Sequence, residues 1–429
     1  MAPSDSSSNL IHELFAQCDF FDHLTELADV GRLRPVDDSL FTFEFNSNPS
    51  LLDRRSLFVA SSRLPQKLDK IPGFFDGLLK LAIGLDGERD VLLTAKGIAC
   101  DRMIHRIGSL FGIPVVELRM APLNAKKLNR ELTAADGCEE NVAWLFDFEN
   151  RGVDFALANL ADYVTALTIR KGGNLASALA QRLERGVPTR VLVDPTLTEK
   201  KLTDQLLAAG ATGWVLFESE DDDEQNEDPA ANYVTSFDSS DYLLHWTRRC
   251  SGPWPEQSED EFLNDLIFRS SRKDHREIAS LRRILATQRI LAGSDLTRDP
   301  RPVVCFSDVT FEKLKELRTF RPHLSRWDFE PFGIAIRKSW LVERGAAAVV
   351  YGVESTWESL SDEKRAFFQL NDPDGKVDWS IEKEWRIIGD VDLRKVPVDA
   401  AVVFVRTAED ANEVAAFCRW PIVVIGPVA

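Results

Sequence analysis

The sequence has no apolar run long enough to cross a membrane, and none of its cysteines is paired at a metal-binding spacing. The first residues, MAPSDSSSNL, also lack the basic and apolar segments of a signal peptide, so we expect a cytoplasmic protein that does not enter a membrane. The six cysteines are scattered, which predicts neither a disulfide framework nor a structural zinc site. The motifs G-x-S-x-G and H-E-x-x-H are absent, which excludes two common hydrolase signatures.

Positive charge is also scarce relative to negative charge. The chain has 52 Lys and Arg residues against 69 Asp and Glu residues, for a formal net charge of −17. An acidic surface repels a phosphate backbone, so the composition disfavours nucleic acid as a partner and suits a small nucleotide-derived molecule better. The sequence identifies no cofactor and leaves homo-oligomerisation open.

The 429 residues are enough for two domains with separate cores. The acidic run ESEDDDEQNED repels itself and cannot be buried, so we place an acidic linker at 218–235. This placement predicts an N-terminal cap or extension at 1–50, a first domain at 51–217 and a C-terminal domain at 236–429.

The first domain alternates short apolar runs with helical segments. Runs such as SLFVASS, DVLLTA and YVTALTI are apolar throughout, which is typical of strands in a parallel sheet covered by helices on both faces. The predicted fold is therefore α/β, with a Rossmann-like parallel sheet. In the C-terminal domain the predicted strands cluster, which indicates an α+β fold, and an amphipathic helix is predicted over 275–293, ending at Gly293.

Two predicted strands of the first domain end in glycine-bearing turns, TAKGI and RKGGN, each followed by a helical pattern. Glycine allows a ligand to approach the backbone, and the first N–H groups of the next helix can bind an anion. Turns after neighbouring parallel strands would face one crevice, although glycine also serves tight packing alone, and neither turn completes a known phosphate-binding motif. The candidate ligand-binding residues of these turns are Thr94, Lys96, Gly97, Gly172, Gly173 and Asn174.

The same turns resemble those of the DNA-processing protein A (DprA/Smf) family, whose core belongs to the SLOG-type Rossmann-like domains. Thr94 to Ile98 is followed by Asp101 and His105, and Asn150-Arg151 precedes the strand that leads to Lys171–Asn174. The resemblance covers roughly residues 50–217 and implies a nucleotide-binding or single-strand-binding core. It adds Arg151 as a ligand-binding candidate, which could pair with a phosphate or with acidic surface groups. The chain departs from the family where Ala95 replaces a glycine.

The clearest polar pattern of the C-terminal domain is E-x-E-x-R. If Ile381 to Ile388 forms a strand, Glu382, Glu384 and Arg386 lie on one face of it. Two carboxylates and a guanidinium on one face could form an active site, and we take these three residues as catalytic candidates. The same pattern also fits a solvated strand face held by ion pairs.

The segments VVCFS, FGIAI and WSIEKEWR resemble a poorly characterised bacterial family associated with phage defence and abortive infection. The resemblance covers roughly residues 250–429 and leaves open whether the chain is an enzyme. Together the two halves predict a sensor of a nucleotide or nucleotide-derived ligand coupled to a C-terminal effector. The alternatives are a DprA-like protein that binds single-stranded DNA and a non-catalytic scaffold.

Overall fold

The structure is a computed structural model that describes residues 33–35, 40–45, 51–122, 127, 141–147, 149–216, 232–270, 273–294, 297–321, 326–371 and 378–426. It divides into two compact units. The first comprises Met1–Asp221 with Gly252–Lys273, and the second comprises Asp222–Ser251 with Asp274–Ala429.

The first unit is built on a nine-stranded sheet with the order β1-β2-β6-β5-β4-β3-β7-β8-β9. Strands β3 to β9 are parallel, which confirms the Rossmann-like prediction, and the β1–β2 hairpin adds an antiparallel edge beside β6. The strands are β1 Leu33–Pro35, β2 Leu40–Phe45, β3 Arg55–Ser61, β4 Asp90–Ala95, β5 Val115–Met120, β6 Val142–Asp147, β7 Tyr163–Thr168, β8 Thr189–Leu192 and β9 Thr212–Trp214.

Helices cover both faces of this sheet. The described helices are α1 Pro72–Ile83, α2 Asp101–Phe111, α3 Val153–Leu160, α4 Asn174–Glu184, α5 Lys200–Ala208 and α6 Glu259–Ile267. Apolar side chains of α1, α2 and α6 share one core with one sheet face, and those of α3, α4 and α5 share another core with the opposite face. Because both faces are covered, a central strand such as β4 is buried along its whole length, which explains its unbroken apolar sequence.

Helix α6 belongs to the first unit, whereas the sequence pattern places it in the C-terminal domain. Its apolar residues join the core of α1 and α2. Its start is fixed by a capping box between Ser258 and Glu261. Arg106 on α2 donates to Asp260 at 2.8 Å, so charge as well as apolar packing holds the segment against the first unit. The linker proposed at 218–235 lies largely outside the described residues.

The second unit contains an eight-stranded mixed sheet with the order β10-β23-β22-β16-β11-β13-β20-β17. The helices Glu277–Thr287 and Ala408–Ala415 pack on one face of that sheet. The main strands are β10 Tyr233–Val234, β11 Tyr242–Trp246, β13 Val303–Ser307, β16 Gly333–Arg337, β17 Ala347–Ala348, β20 Glu384–Ile388, β22 Ala401–Val405 and β23 Ile422–Val424. Three shorter pairs are β12 Arg289–Ile290 with β21 Val391–Asp392, β14 Phe320–Arg321 with β15 Arg326–Trp327, and β18 Val350–Gly352 with β19 Phe368–Leu370.

The described helices of this unit are α7 Glu277–Thr287, α8 Phe311–Leu317, α9 Lys338–Val342, α10 Glu354–Ser359, α11 Asp362–Arg365 and α12 Ala408–Ala415. The prediction that α7 continues to Gly293 is wrong. Gln288 adopts a left-handed conformation with φ of 54°, which ends the helix, and the chain then enters β12. Gly293 instead forms a bridge with Val303. No helix within the described ranges is long and apolar enough to cross a membrane.

Candidate functional site

The order of strands places one topological switch point in the first sheet. From β3 the chain builds β4, β5 and β6 on one side and then crosses to β7 on the other. Helix α1 after β3 and helix α4 after β7 lie on opposite faces. A crevice at the carboxyl ends of such a pair of strands is the usual ligand position in an open α/β sheet.

The two glycine turns lie at this carboxyl edge but do not follow neighbouring strands. TAKGI follows β4 and RKGGN follows β7, and β3 runs between them. At about 4.8 Å per strand, the turns stand roughly 10 Å apart. The prediction of two adjacent turns is therefore wrong in detail, and the end of β3 contributes to the space between them.

The end of β3 is hydrogen-bonded to the RKGGN turn through Ser62. The Ser62 backbone N–H donates to the Thr168 carbonyl at 2.8 Å, and the Arg170 backbone N–H donates to the Ser62 hydroxyl at 2.8 Å. The Gly173 N–H closes the turn on the Arg170 carbonyl at 3.3 Å. Ser62 therefore fixes the direction in which the turn presents Gly172.

Gly172 and Gly173 leave the start of α4 accessible. Gly172 has φ of +70°, and beyond its two chain neighbours no atom of the described residues lies within 4 Å of the position that a β-carbon would occupy. Gly173 is the N-cap of α4, and no side chain among the described residues caps this end. Asn174, one of the candidate ligand-binding residues, is the first helical residue. The first N–H groups of α4 are thus available to an anion.

The TAKGI turn is organised differently. Thr94 is fully buried, and its hydroxyl donates to the Asp101 carboxylate at 2.8 Å, so its side chain is used inside the protein. Asp101 also occupies the first turn of α2 and places negative charge at that helix end. Lys96 and Gly97 remain exposed, with Gly97 at φ of +92°. This turn offers a lysine and open backbone, and its helix already carries an anion of its own.

Arg151 lies away from the two turns. It follows β6, which is three strands from β3 in the sheet. Its Nε lies 3.3 Å from Asp147 and 3.4 Å from Glu149, and its guanidinium stands 4.0 Å from the centre of the Phe155 ring. The structure therefore gives Arg151 local partners and does not bring it to the β3–β7 crevice.

Four basic side chains at the carboxyl edge form no ion pair or hydrogen bond with any residue that the structure describes. They are Arg63 after β3, Lys96 after β4, and Arg170 and Lys171 after β7. The carboxylates at this edge are engaged elsewhere: Asp101 accepts from Thr94, and Asp194 accepts from Thr196. The edge therefore holds four cations without an ion pair in the described part of the chain, beside two carboxylates that keep their negative charge. Sequence reasoning missed Ser62 and Arg63, because only the strand order brings them to RKGGN.

In the second unit, the E-x-E-x-R segment forms a strand only in part. Residues Trp379–Glu382 form a 3-10 helix, and Lys383 has φ of 44°, so β20 begins at Glu384. The prediction of one strand from Ile381 to Ile388 is wrong. Glu382 lies outside the strand, and only Glu384 and Arg386 share a face.

Arg386 is buried and uses all five of its N–H groups within the protein. Its Nε and one Nη donate to the two Glu384 oxygens at 2.9 and 3.0 Å. The other donations reach the carbonyls of Ala366 and Phe368 at 3.1 and 2.7 Å, and Gln369 at 2.8 Å. With 2 % of its surface exposed, Arg386 cross-links β20 to the chain around β19 and has no donor left for a ligand.

The groups beside this pair hold their protons at neutral pH. Desolvation by the surrounding atoms, followed by the Glu384 charge, raises the pKa of the Cys305 thiol to about 12, although Cys305 exposes part of its surface. Burial likewise raises the pKa of the Tyr351 hydroxyl to about 12, and this hydroxyl accepts from the Glu384 backbone N–H at 2.8 Å. Cys305 is therefore a thiol and not a nucleophilic thiolate. Catalysis by Glu382, Glu384 and Arg386 stays a prediction from the sequence.

Comparison with known proteins finds similarity of fold. DNA processing protein A from Helicobacter pylori, which binds single-stranded DNA, is 17% identical over 41% of this chain and 80% of that chain, with a TM-score of 0.27. DNA processing protein A from Streptococcus pneumoniae is 15% identical over 41% of this chain and 62% of that chain, with a TM-score of 0.27. The Moco carrier protein from Chlamydomonas rheinhardtii is 12% identical over 37% and 88%, at 0.24.

At these TM-scores the comparisons carry no argument about the ligand or the activity of this chain. No protein-family model and no curated protein matches the chain. The resemblance of residues 250–429 to a phage-defence family therefore gains no support from the comparisons.

Proposed function

We propose that the first unit binds a nucleotide or nucleotide-derived molecule whose phosphate rests on the RKGGN turn at the start of α4. The observation that carries the proposal is the absence of any carboxylate at this helix start among the described residues. Beside it lie Arg170 and Lys171, both exposed and unpaired within the described ranges.

The other described helices of the unit each have an acidic residue at their N-terminus. Acidic residues occupy the first turns of α2, α3 and α6, and Glu199 is the N-cap of α5. Asp194 stands against Gly73 at the start of α1. These carboxylates already interact with the positive ends of their helix dipoles. The positive end of the α4 dipole has no such carboxylate among the described residues and can bind an external anion.

The chemistry of the turn fits a phosphate. The first N–H groups of α4 point outward, Gly172 permits close approach, and two cations flank the same spot. Each hydrogen bond to a charged group contributes about 1.5–3 kcal/mol, so loss of both cations should weaken binding at least tenfold. Lys96 and Arg63, about one or two strands away, suit a second phosphate or a ribose.

Calorimetric titration with AMP, cyclic AMP, ADP-ribose and NAD tests this proposal. We expect saturable binding of at least one, weakened at least tenfold in the double variant Arg170→Glu/Lys171→Glu. The matched control is Arg394→Glu/Lys395→Glu, which makes the same change of charge at two exposed residues of the second unit. Absence of binding by all four compounds, or equal loss in both variants, would overturn the proposal.

Salt dependence distinguishes this function from binding of single-stranded DNA. If all four cations contacted successive phosphates, the logarithm of the affinity would fall with a slope of about −0.7 per contact, or about 50-fold between 50 and 200 mM salt. The affinity for a nucleotide held by Arg170 and Lys171 alone should fall much less over the same change of salt concentration. Titration of a fluorescent oligothymidine and of the best nucleotide at both salt concentrations separates the two cases.

The proposal also gives the second unit an effector role in prokaryotic phage defence, which is supported by the sequence resemblance alone. A Glu382→Gln variant tests whether this role needs the half-buried Glu382 carboxylate, because it leaves the Glu384–Arg386 pair intact. Unchanged protection of cells against phage in this variant would favour a non-catalytic scaffold. A loss of protection with unchanged thermal stability would support chemistry at Glu382.

A further inference from the structure

A second cavity lies at the opposite, amino edge of the first sheet. It has a volume of about 380 Å³ and is lined by the first residues of β3, β7, β8 and β9 and by the last turn of α1. Binding sites for small molecules commonly enclose about 300–1,000 Å³. Strand β7 has six residues, at about 3.3 Å each, so this cavity is roughly 20 Å from the RKGGN turn.

The alternation of β8 directs Arg190 into the cavity. Thr189 and Val191 are buried, and the Thr189 hydroxyl lies 3.2 Å from Arg182 Nε on the side of α4. Arg190, between them, is exposed on the side of α1. Its guanidinium stands 5.6 Å from the centre of the Trp214 ring, so an aromatic plane and a cation are paired in the wall.

The opposite wall of the cavity also places an arginine beside an aromatic ring, and this arginine forms an ion pair. Arg55 donates to both oxygens of Asp90 at 2.5 and 2.8 Å, and Asp90 is only 1% exposed. The same guanidinium stands 5.7 Å from the centre of the Tyr163 ring. The Arg55–Asp90 pair is neutral as a whole and holds Arg55 in place beside the Tyr163 ring.

Two positive charges therefore remain uncompensated in the cavity. Lys80 and Arg190 form no ion pair with any residue in the described part of the chain, although acidic residues outnumber basic ones overall. Uncompensated cations in a concave site attract anions. Tyr163, which is 46% exposed, and the partly exposed Trp214 add flat apolar surface on which an aromatic ring can stack.

We propose that this cavity binds a small planar aromatic anion, such as an aryl phosphate, aryl sulfonate or aromatic carboxylate. Lys80 and Arg190 bind its charged group, and the ring lies against Tyr163 and Trp214. The site is separate from the proposed nucleotide site, since the two lie at opposite ends of the same strands.

The fluorescent aryl sulfonate 1-anilinonaphthalene-8-sulfonate serves as the probe, titrated into the full chain. We expect one saturable site, with affinity at least tenfold weaker in Lys80→Glu/Arg190→Glu and unchanged in Arg170→Glu/Lys171→Glu. Phenyl phosphate should displace the probe, whereas inorganic phosphate at equal ionic strength should not.

Trp214→Ala gives a second measurement that does not change the charge. We expect the variant to bind the probe about tenfold more weakly, because one stacking partner is lost. Probe affinity within twofold of wild type in Lys80→Glu/Arg190→Glu would refute the proposal, as would equal displacement by inorganic phosphate. Because the nucleotide titration depends on Arg170 and Lys171, either proposal can fail while the other holds.

Discussion

Replacement of Arg386 distinguishes a catalytic role, predicted from the sequence, from a structural role, indicated by its hydrogen bonds. The two roles predict opposite effects on stability. A catalytic Arg386 could be replaced with loss of activity and little loss of stability. A structural Arg386 cannot be replaced without a large loss of stability, since five protein acceptor atoms depend on it.

The size of the effect follows from what Arg386→Met leaves behind. The Glu384 carboxylate loses its counter-ion while its side chain is only 13% exposed, and two carbonyls lose their donor. Removing one partner of a buried ion pair costs about 3–5 kcal/mol. At about 2–4 °C per kcal/mol for a unit of this size, the Tm of the second unit should fall by roughly 6–20 °C.

Differential scanning calorimetry measures this fall, with Arg394→Met as the matched control. Arg394 makes the same two-pronged contact with Asp392, at 2.8 and 2.9 Å, but its side chain is 70% exposed. Solvent screens such a pair, so we expect no measurable change in Tm for the control. If Arg386→Met melts within 2 °C of Arg394→Met, as a difference of about half a kcal/mol would allow, the structural role of Arg386 is refuted.

Two further predictions concern backbone conformation and pH. Gly172→Ala should lower the free energy of unfolding by about 1 kcal/mol, because φ is +70° there, whereas Gly84→Ala, at φ of −85° after the last residue of α1, should change it little; urea unfolding compares them. Burial lowers the pKa of His245 to about 4 from its ordinary 6.5, so the unfolded chain binds a proton more readily than the folded protein does. The folded protein therefore loses stability as pH falls from 6.5 towards 4. Between pH 6.5 and 4, the free energy of unfolding of His245→Gln should fall by on the order of 2 kcal/mol less than that of wild type. Tm measured against pH for both proteins tests this, and two parallel Tm curves would contradict it.

The sequence by itself determined the classes of both units. Unbroken apolar strands between helices required a parallel sheet covered on both faces, because each face needs its own apolar partner. It also located both glycine turns, since a turn after a strand is a local pattern of a few residues. These inferences held because they depend on neighbours along the chain.

Only the tertiary structure decided which of these residues meet. The order of strands placed β3 between the turns and added Ser62 and Arg63, and it left Arg151 three strands away. A single left-handed residue, Lys383, removed Glu382 from the strand, and the distant carbonyls of Ala366 and Phe368 filled the remaining donors of Arg386. Strand order and hydrogen-bond partners are set by contacts between residues far apart in sequence, which local periodicity does not encode.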